Sequence, residues 1–325
     1  MSMAIVQTGI GDAGVLQWQE QDPGTPGPGE VLLRQSVVGV NLIEIGMRQG
    51  AYPGPNPPFV PGFEGVGVVE AIGSDVDQVR VGQRVVYAFP PLGSYSETRV
   101  FPAEYLVPLP EDIDDETAAA MFMKGLTVWM LLERVYRVKA GDTILVHAAA
   151  GGTGLLMCQW AKSLGATVIG TVSTDEKARI AAAHGCDHPV NYTREDFRDT
   201  VRQVVGDAGL PVVYDSVGRD TFERSMECLA PTGTMALYGM ASGEPDPYYL
   251  MRMGLDKSYF LTRPAVFVYV SRRDWLLQAA ERLFVLVRSG AIRVEIHGRY
   301  PLRDAANAHQ AVESRRTTGS TILTV

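Results

Sequence analysis

The chain has 325 residues, 46% hydrophobic and 20% charged, with a formal net charge of −8. That length and apolar content support two folded domains, and the acidic balance argues against a general nucleic-acid binder, which needs a concentrated cationic surface. The opening MSMAIVQTGIGDAGVL lacks a basic-then-apolar leader pattern and no apolar run approaches bilayer length, so a cytoplasmic protein without a membrane span is expected.

The first 120 or so residues hold short strand-like runs, EVLLRQSVVGV at 30–40, GVGVVEAIG at 65–73 and QRVVYAF at 83–89, punctuated by proline and glycine. They predict a mostly antiparallel, barrel-like domain. PGTPGPGE and AYPGPNPPFVPG are bounded by apolar segments and read as loops. Next comes TILVH at 143–147, a β-branched run that reads as a buried strand. HAAAGGTG follows at 147–154, and then Leu155, Leu156, Trp160, Ala161 and Leu164 recur at helical spacing until Gly165. A second strand, ATVIGTV, follows at once.

Strand, glycine turn, helix and strand within ~30 residues make one crossover unit, the context in which a glycine match is informative. Aligned on G-x-G-x-x-G, the segment gives Ala149, Gly151 and Gly154, with alanine for the first glycine and an extra Gly152. Ala150, Gly151, Gly152, Thr153 and Gly154 are therefore candidates to cradle a pyrophosphate at a helix start; a tight turn without a ligand fits the same residues. The second strand ends in TVSTDEK. Neutral Ser173 with cationic Lys177 suits the extra phosphate of NADPH, while Asp175 and Glu176 keep NADH open. Lys177 also fits as a solvated helix residue.

The alternation continues with HPVNY, PVVYDSVG, GTMALYGM and KSYFLTRP as strands, with helices over 193–205 and 221–229 between the earlier ones. This is the pattern of an α/β, doubly wound parallel sheet, whose carboxyl ends nominate Asn191, Tyr192, Ser216, Val217, Gly218, Gly239 and Met240 as cofactor-edge positions. GTMALYGM and SYFLTRP would leave an apolar sheet edge, which predicts a homodimer. Residues 274–289 are amphipathic, and the tail from 299 holds one more helix and a final strand that returns to the first domain. Three cysteines, Cys158, Cys186 and Cys228, are too scattered for a disulfide framework or zinc cluster and read as reduced, packed side chains.

Taken in order, GVNLIEIGMRQGAYPG, VPGFEGVGVVEAIGSDV, VGQRVVYA, MFMKGLTVWMLL, VHAAAGGTGLLMCQWAKSLGATVIGT, VVYDSVGRDTFERSMECL and YPLRDAANAHQAVESRRTTG resemble the zinc-free quinone oxidoreductases of the medium-chain dehydrogenase/reductase superfamily, nearly end to end. The resemblance implies a Rossmann domain at 125–264 that binds NADPH. This domain is inserted into a GroES-like catalytic domain, formed by 1–124 and a C-terminal return at 265–325. Zinc-dependent relatives carry an early cysteine and a Gly-His-Glu segment, but here Phe63 stands at the histidine, no cysteine precedes Cys158, and the five histidines lack ligand spacing. No metal is expected.

Alcohol oxidation needs a metal or base for the hydroxyl proton. Hydride delivery to a quinone or other conjugated acceptor gives a delocalised oxyanion that hydrogen bonds can hold, so the residues favour reduction. By resemblance, Asn41, Arg48 and Tyr52 line the pocket: Asn41 orients the cofactor, and Arg48 or Tyr52 supports negative charge on the substrate. Glu44 either organises Arg48 or is a surface acid. Lys124 and Thr127 lie at the domain junction, and Gly152, Thr153, Ser173, Lys177, Tyr192 and Arg315 (or the adjacent Arg316) contact NADPH. Gly46 and Met130 replace tyrosines common in relatives, which implies a larger or less polar pocket. An NADPH-dependent alkenal or enoyl reductase and a non-catalytic NADPH-binding protein are the alternatives.

Overall fold

The computed structural model describes the backbone of residues 1–325 and the side chains of all but Leu250 and Asp256. In chain order the first elements are β1 (Ser2–Gln7), β2 (Leu16–Gln21), β3 (Glu30–Val40), α1 (Leu42–Arg48), β4 (Glu64–Ile72), β5 (Arg84–Ala88), β6 (Thr98–Pro102), β7 (Val107–Pro108) and α2 (Asp115–Trp129). The crossover series follows: β8 (Thr143–Val146), α3 (Gly152–Ser163), β9 (Thr167–Val172), α4 (Asp175–Ala183), β10 (His188–Asn191), α5 (Phe197–Val205), β11 (Leu210–Asp215), α6 (Phe222–Glu227), β12 (Leu229–Leu237), α7 (Leu250–Asp256) and β13 (Phe260–Thr262). The chain ends with α8 (Val266–Val270), α9 (Arg273–Arg288), β14 (Ile296–Pro301), α10 (Ala305–Glu313) and β15 (Ser320–Thr324).

Two compact units result, one of Met1–Leu126, Phe267–Arg288 and Val294–Val325, the other of Thr127–Val266 and Ser289–Arg293. In the first, β1 and β2 pair antiparallel, and a seven-stranded sheet runs β14-β15-β3-β4-β5-β7 with β6 also on β3. The sheet is mixed and open rather than a closed barrel. Eleven-residue β3 serves β6 with its first half and β15 with its second. Register shifts at Leu32/Leu33 and Gln35/Val37 mark bulges against β4, and such bulges bend a strand between partners. The expected return of the tail is therefore a strand pairing, Thr321–Thr324 of β15 against Val37–Val40 of β3. Beneath it lies a core of Ile5, Val38, Val40, Tyr95, Leu302 and Leu323, with a second of Val31, Leu33, Val69, Val85, Tyr87 and Phe101.

The second unit holds a six-stranded sheet in the order β10-β9-β8-β11-β12-β13, parallel at every pairing. Its strands are near-continuous apolar runs because helices cover both faces. Thr174 caps α4 and Asp196 caps α5, each side chain accepting a backbone N–H of the first turn. Strand order reverses between β8 and β11, and the crevice beyond their carboxyl ends is where open α/β sheets bind ligands.

Candidate functional site

The turn after β8 follows from steric necessities. Ala148 takes a left-handed conformation at φ 55°, and Ala149, buried where a first glycine was expected, donates its N–H to Thr171 O at 3.0 Å. Room for its methyl comes from β9, because a Cβ at Gly170 would stand 2.6 Å from Ala149 Cβ. Gly154 brings α3 against the turn so closely that a Cβ there would stand 2.3 Å from Ala148 O. Gly151 is the N-cap residue, and among the described residues no side chain caps the helix. The N–H groups of Gly152, Thr153 and Gly154 have no acceptor one turn back, and their partial positive charge is the physical basis of an anion site. Ala150 is buried beneath the turn, whereas Gly151, Gly152 and Thr153 are half-buried.

His147 is held neutral. Its Nδ1 meets Thr171 Oγ1 at 2.9 Å and its Nε2 meets Ser225 Oγ at 2.8 Å, and burial pulls its pKa down. It ties β8 to β9 and α6.

Beyond β9, Ser173 and Lys177 are half-buried. Lys177 donates its backbone N–H to Thr174 Oγ1 at 3.1 Å, and partial burial pulls its ammonium pKa below the usual lysine value. Tyr192 follows β10 half-exposed, its N–H on Val172 O at 3.0 Å. All three share the carboxyl end of the β9–β10 pair. At the end of β11, Asp215 is fully buried and accepts from Val217 N at 2.7 Å, Gly218 N at 3.0 Å and Thr221 Oγ1 at 2.8 Å. It thereby shapes the Ser216–Gly218 turn. A Cβ at Gly239 would lie 2.7 Å from Ser216 O, so Ser216, Gly239 and Met240 do come together where the loops after β11 and β12 meet. Thr127 is half-buried on α2. Met130 is buried and opens a π-helical stretch, Met130–Val135, that continues it.

The polar centre of the first unit is assembled from distant parts of the chain. The Asn41 amide donates to Glu64 Oε2 at 3.0 Å and accepts from Lys124 Nζ at 3.1 Å. Glu64, wholly buried, also accepts Met123 N at 2.6 Å and pairs with Lys124 at 3.8 Å. Gly39 leaves its space, since a Cβ there would fall 2.1 Å from Glu64 Oε2. Burial raises the Glu64 pKa, and Lys124 opposes the rise.

Glu44 is neither a surface acid nor a partner of Arg48. It is buried and accepts Asn41 N at 2.6 Å and Phe63 N at 3.2 Å. Burial is the chief reason its pKa is raised to about 8. Arg48 is fully buried, donating to Gly11 O at 3.0 Å and ion-paired with Glu313. With its guanidinium enclosed in this way, Arg48 is a structural cation that ties α1 to α10 rather than an open pocket group. A Cβ at Gly46 would lie 2.1 Å from Tyr52 Cδ2, so the space of a side chain at 46 is filled by the Tyr52 ring, and the expected widening does not occur there. Arg315 lies in the first unit, beyond α10, at φ 56°.

Glu64 and Asp215 escape a sequence reading. Their available signals are an acid amid GFEGVG and an acid closing an apolar strand ahead of a glycine.

Comparison with known proteins accords with this architecture. An alcohol dehydrogenase GroES-like domain model matches residues 27–111 and a zinc-binding dehydrogenase model matches 152–271. The zinc of the latter description has no counterpart in the ligand set, for among the described residues no group of three or more His, Cys, Asp or Glu is placed to hold a metal ion. A quinone oxidoreductase of Pseudomonas aeruginosa is 45% identical over 323 residues, and a 2-haloacrylate reductase of a Burkholderia species 44% over 330, each spanning 99% of both chains. The crystal structure of Escherichia coli quinone oxidoreductase complexed with NADPH superposes with a TM-score of 0.97 at 41% identity, covering 99% of this chain and 100% of that one. With identity of this extent running through both the GroES-like and the nucleotide-binding halves, the chain belongs to the quinone oxidoreductase family of medium-chain dehydrogenases/reductases.

Proposed function

We propose that this protein is an NADPH-dependent reductase of quinones that works without zinc. What carries the reading is the 45% identity to a quinone oxidoreductase across 99% of both chains. The residues fit the cofactor: an uncapped, glycine-lined helix start for the diphosphate and a partly buried lysine beyond β9 for the adenosine phosphate. NADPH supplies the reducing equivalents when bound. Gly151, Gly152, Thr153 and Gly154 would hold the diphosphate, and Ser173, Lys177 and Tyr192 the adenosine ribose and its phosphate. Ser216, Gly239, Met240 and Thr127 flank the nicotinamide side. Asn41 is fixed by Glu64 and Lys124 and orients the ring, and the Tyr52 hydroxyl donates to the oxygen that gains charge on the acceptor.

A second reading is supported by the 44% identity to a 2-haloacrylate reductase. An activated alkene, like a quinone, yields a delocalised anion on reduction. NADPH oxidation followed with quinone and 2-haloacrylate panels separates them. Quinone turnover is expected; turnover of the alkenes alone establishes the second reading, and bound cofactor with no turnover defeats both.

Lys177→Ala is expected to weaken NADPH binding about 10- to 100-fold, the worth of a charge-assisted phosphate contact, while NADH changes by less than about twofold. Calorimetric titration decides, and equal losses would remove Lys177 from the phosphate site.

We also propose a homodimer. β13 is the sheet edge, with Phe260 61% and Leu261 38% exposed, and a two-fold partner would cover that apolar edge. Light scattering should give twice the chain mass; the monomer mass would refute it. Among the described residues no helix is long and apolar enough to cross a membrane. The free, buried cysteines suit a reducing compartment, and we place the chain in the cytoplasm.

A further inference from the structure

An acid stands where a phosphorylated ribose would least tolerate one. Asp175 is the first residue of α4, three positions beyond the end of β9 and two before Lys177. A free carboxylate at this end of the sheet suits the ribose hydroxyls of NADH and repels the added phosphate of NADPH. In this structure it is not free. Its Oδ1 accepts Asn191 Nδ2 at 2.8 Å and pairs with the Arg194 guanidinium.

The geometry is set from β10 outward. Asn191, the last residue of β10, is buried, and its Oδ1 accepts both Thr193 N at 3.2 Å and Thr193 Oγ1 at 2.7 Å. With the amide oxygen thus committed, the amide NH2 has one orientation, toward Asp175. The Arg194 backbone N–H is fixed on Asn191 O at 3.0 Å. One turn therefore supplies an oriented amide and an oriented cation to the same carboxylate oxygen.

We infer that Asn191 and Arg194 clamp Asp175 against the end of β10, and that this clamp is a determinant of cofactor choice: it neutralises an acid that would otherwise oppose the phosphate held by Lys177. The inference rests on the NADPH reading above. It differs from a direct phosphate contact by Arg194, because its effect must pass through Asp175.

That dependence is testable with the full-length chain by calorimetric titration of NADPH and NADH against the wild type, Arg194→Ala, Asp175→Asn and the double variant. Both side chains are more than half exposed, so the variants should fold, which their melting curves verify. Arg194→Ala is expected to weaken NADPH about five- to tenfold, as an unpaired carboxylate near a phosphate does in partly screened surroundings, and to leave NADH unchanged or slightly tighter. In the Asp175→Asn background the same substitution should have no effect on NADPH. An equal loss in both backgrounds would assign Arg194 to the phosphate itself and overturn the clamp, as would an unchanged NADPH affinity in Arg194→Ala. A wild type that binds NADPH no better than NADH overturns the underlying reading, and the clamp with it.

Discussion

Replacing Glu64 with alanine should lower stability by about 3–5 kcal/mol, the cost of leaving buried partners of a charge uncompensated. Three groups depend on that carboxylate: Met123 N–H at 2.6 Å, Asn41 Nδ2 at 3.0 Å and the Lys124 ammonium at 3.8 Å. Removing it takes a carboxylate acceptor from Met123 N–H and Asn41 Nδ2 and the opposing charge from Lys124, whose side chain is only 10% exposed. The loss should be read as a fall in the urea midpoint. It should shrink in a Lys124→Met background, since the stranded cation is then absent, and the difference between the two backgrounds isolates the charge pair. Equal losses would mean that Glu64 acts only through its hydrogen bonds. A loss below about 1 kcal/mol would mean the site admits water and the network is not a rigid support for Asn41.

This network also shows where sequence reasoning stops. The glycine turn between β8 and α3 was legible because its constraints are local: a buried strand, glycines and a periodic helix within one short stretch. Even the missing first glycine is explained nearby, by Gly170 on the next strand. The parallel sheet was legible for the same reason, since each crossover repeats a local pattern. In contrast, the partners of the first unit lie far apart in sequence, Lys124 being 83 residues from Asn41 and Glu64 59 from Met123. No periodicity marks a buried acid whose donor arrives from another element. Arg48 looked like a pocket cation for want of its partner Glu313, which the tail supplies. Gly46 looked like a vacancy because nothing local revealed that the Tyr52 ring folds back over it. The open sheet, expected as barrel-like, depends on how β3 divides its length between β6 and β15, a matter of long-range register.

Two buried groups should make stability depend on pH in opposite senses. Glu44 is raised from its ordinary 4.5 to about 8, first by burial and then by the Glu64 charge, against the pull of Asn41 N–H, Phe63 N–H and Lys124. The fold thus binds its proton more tightly than the unfolded chain does. The stability this contributes is complete below about pH 4.5 and is lost as the pH rises through 8, on the order of 5 kcal/mol across the window. His309 works in the opposite sense. Burial, and then the nearby Arg48 charge, lower its pKa from 6.5 to about 3, and its Nε2 lies 3.0 Å from the Tyr95 hydroxyl. Its contribution is complete above 6.5 and is lost as the pH falls toward 3. Glu44→Gln keeps an acceptor for the Asn41 N–H but cannot titrate, so it should remove the loss that accompanies rising pH and leave the one that accompanies falling pH. Urea midpoints across this range check the prediction through the difference between the two proteins, which should favour the variant increasingly from pH 5 to 8. Parallel profiles would mean that the two backbone N–H groups and Lys124 outweigh burial, with Glu44 ionised throughout. The cluster around Asn41 would then carry two buried carboxylates, Glu44 and Glu64, against the Lys124 ammonium, and the cost of Glu64→Ala would fall below the range given above, because that substitution would also relieve a repulsion.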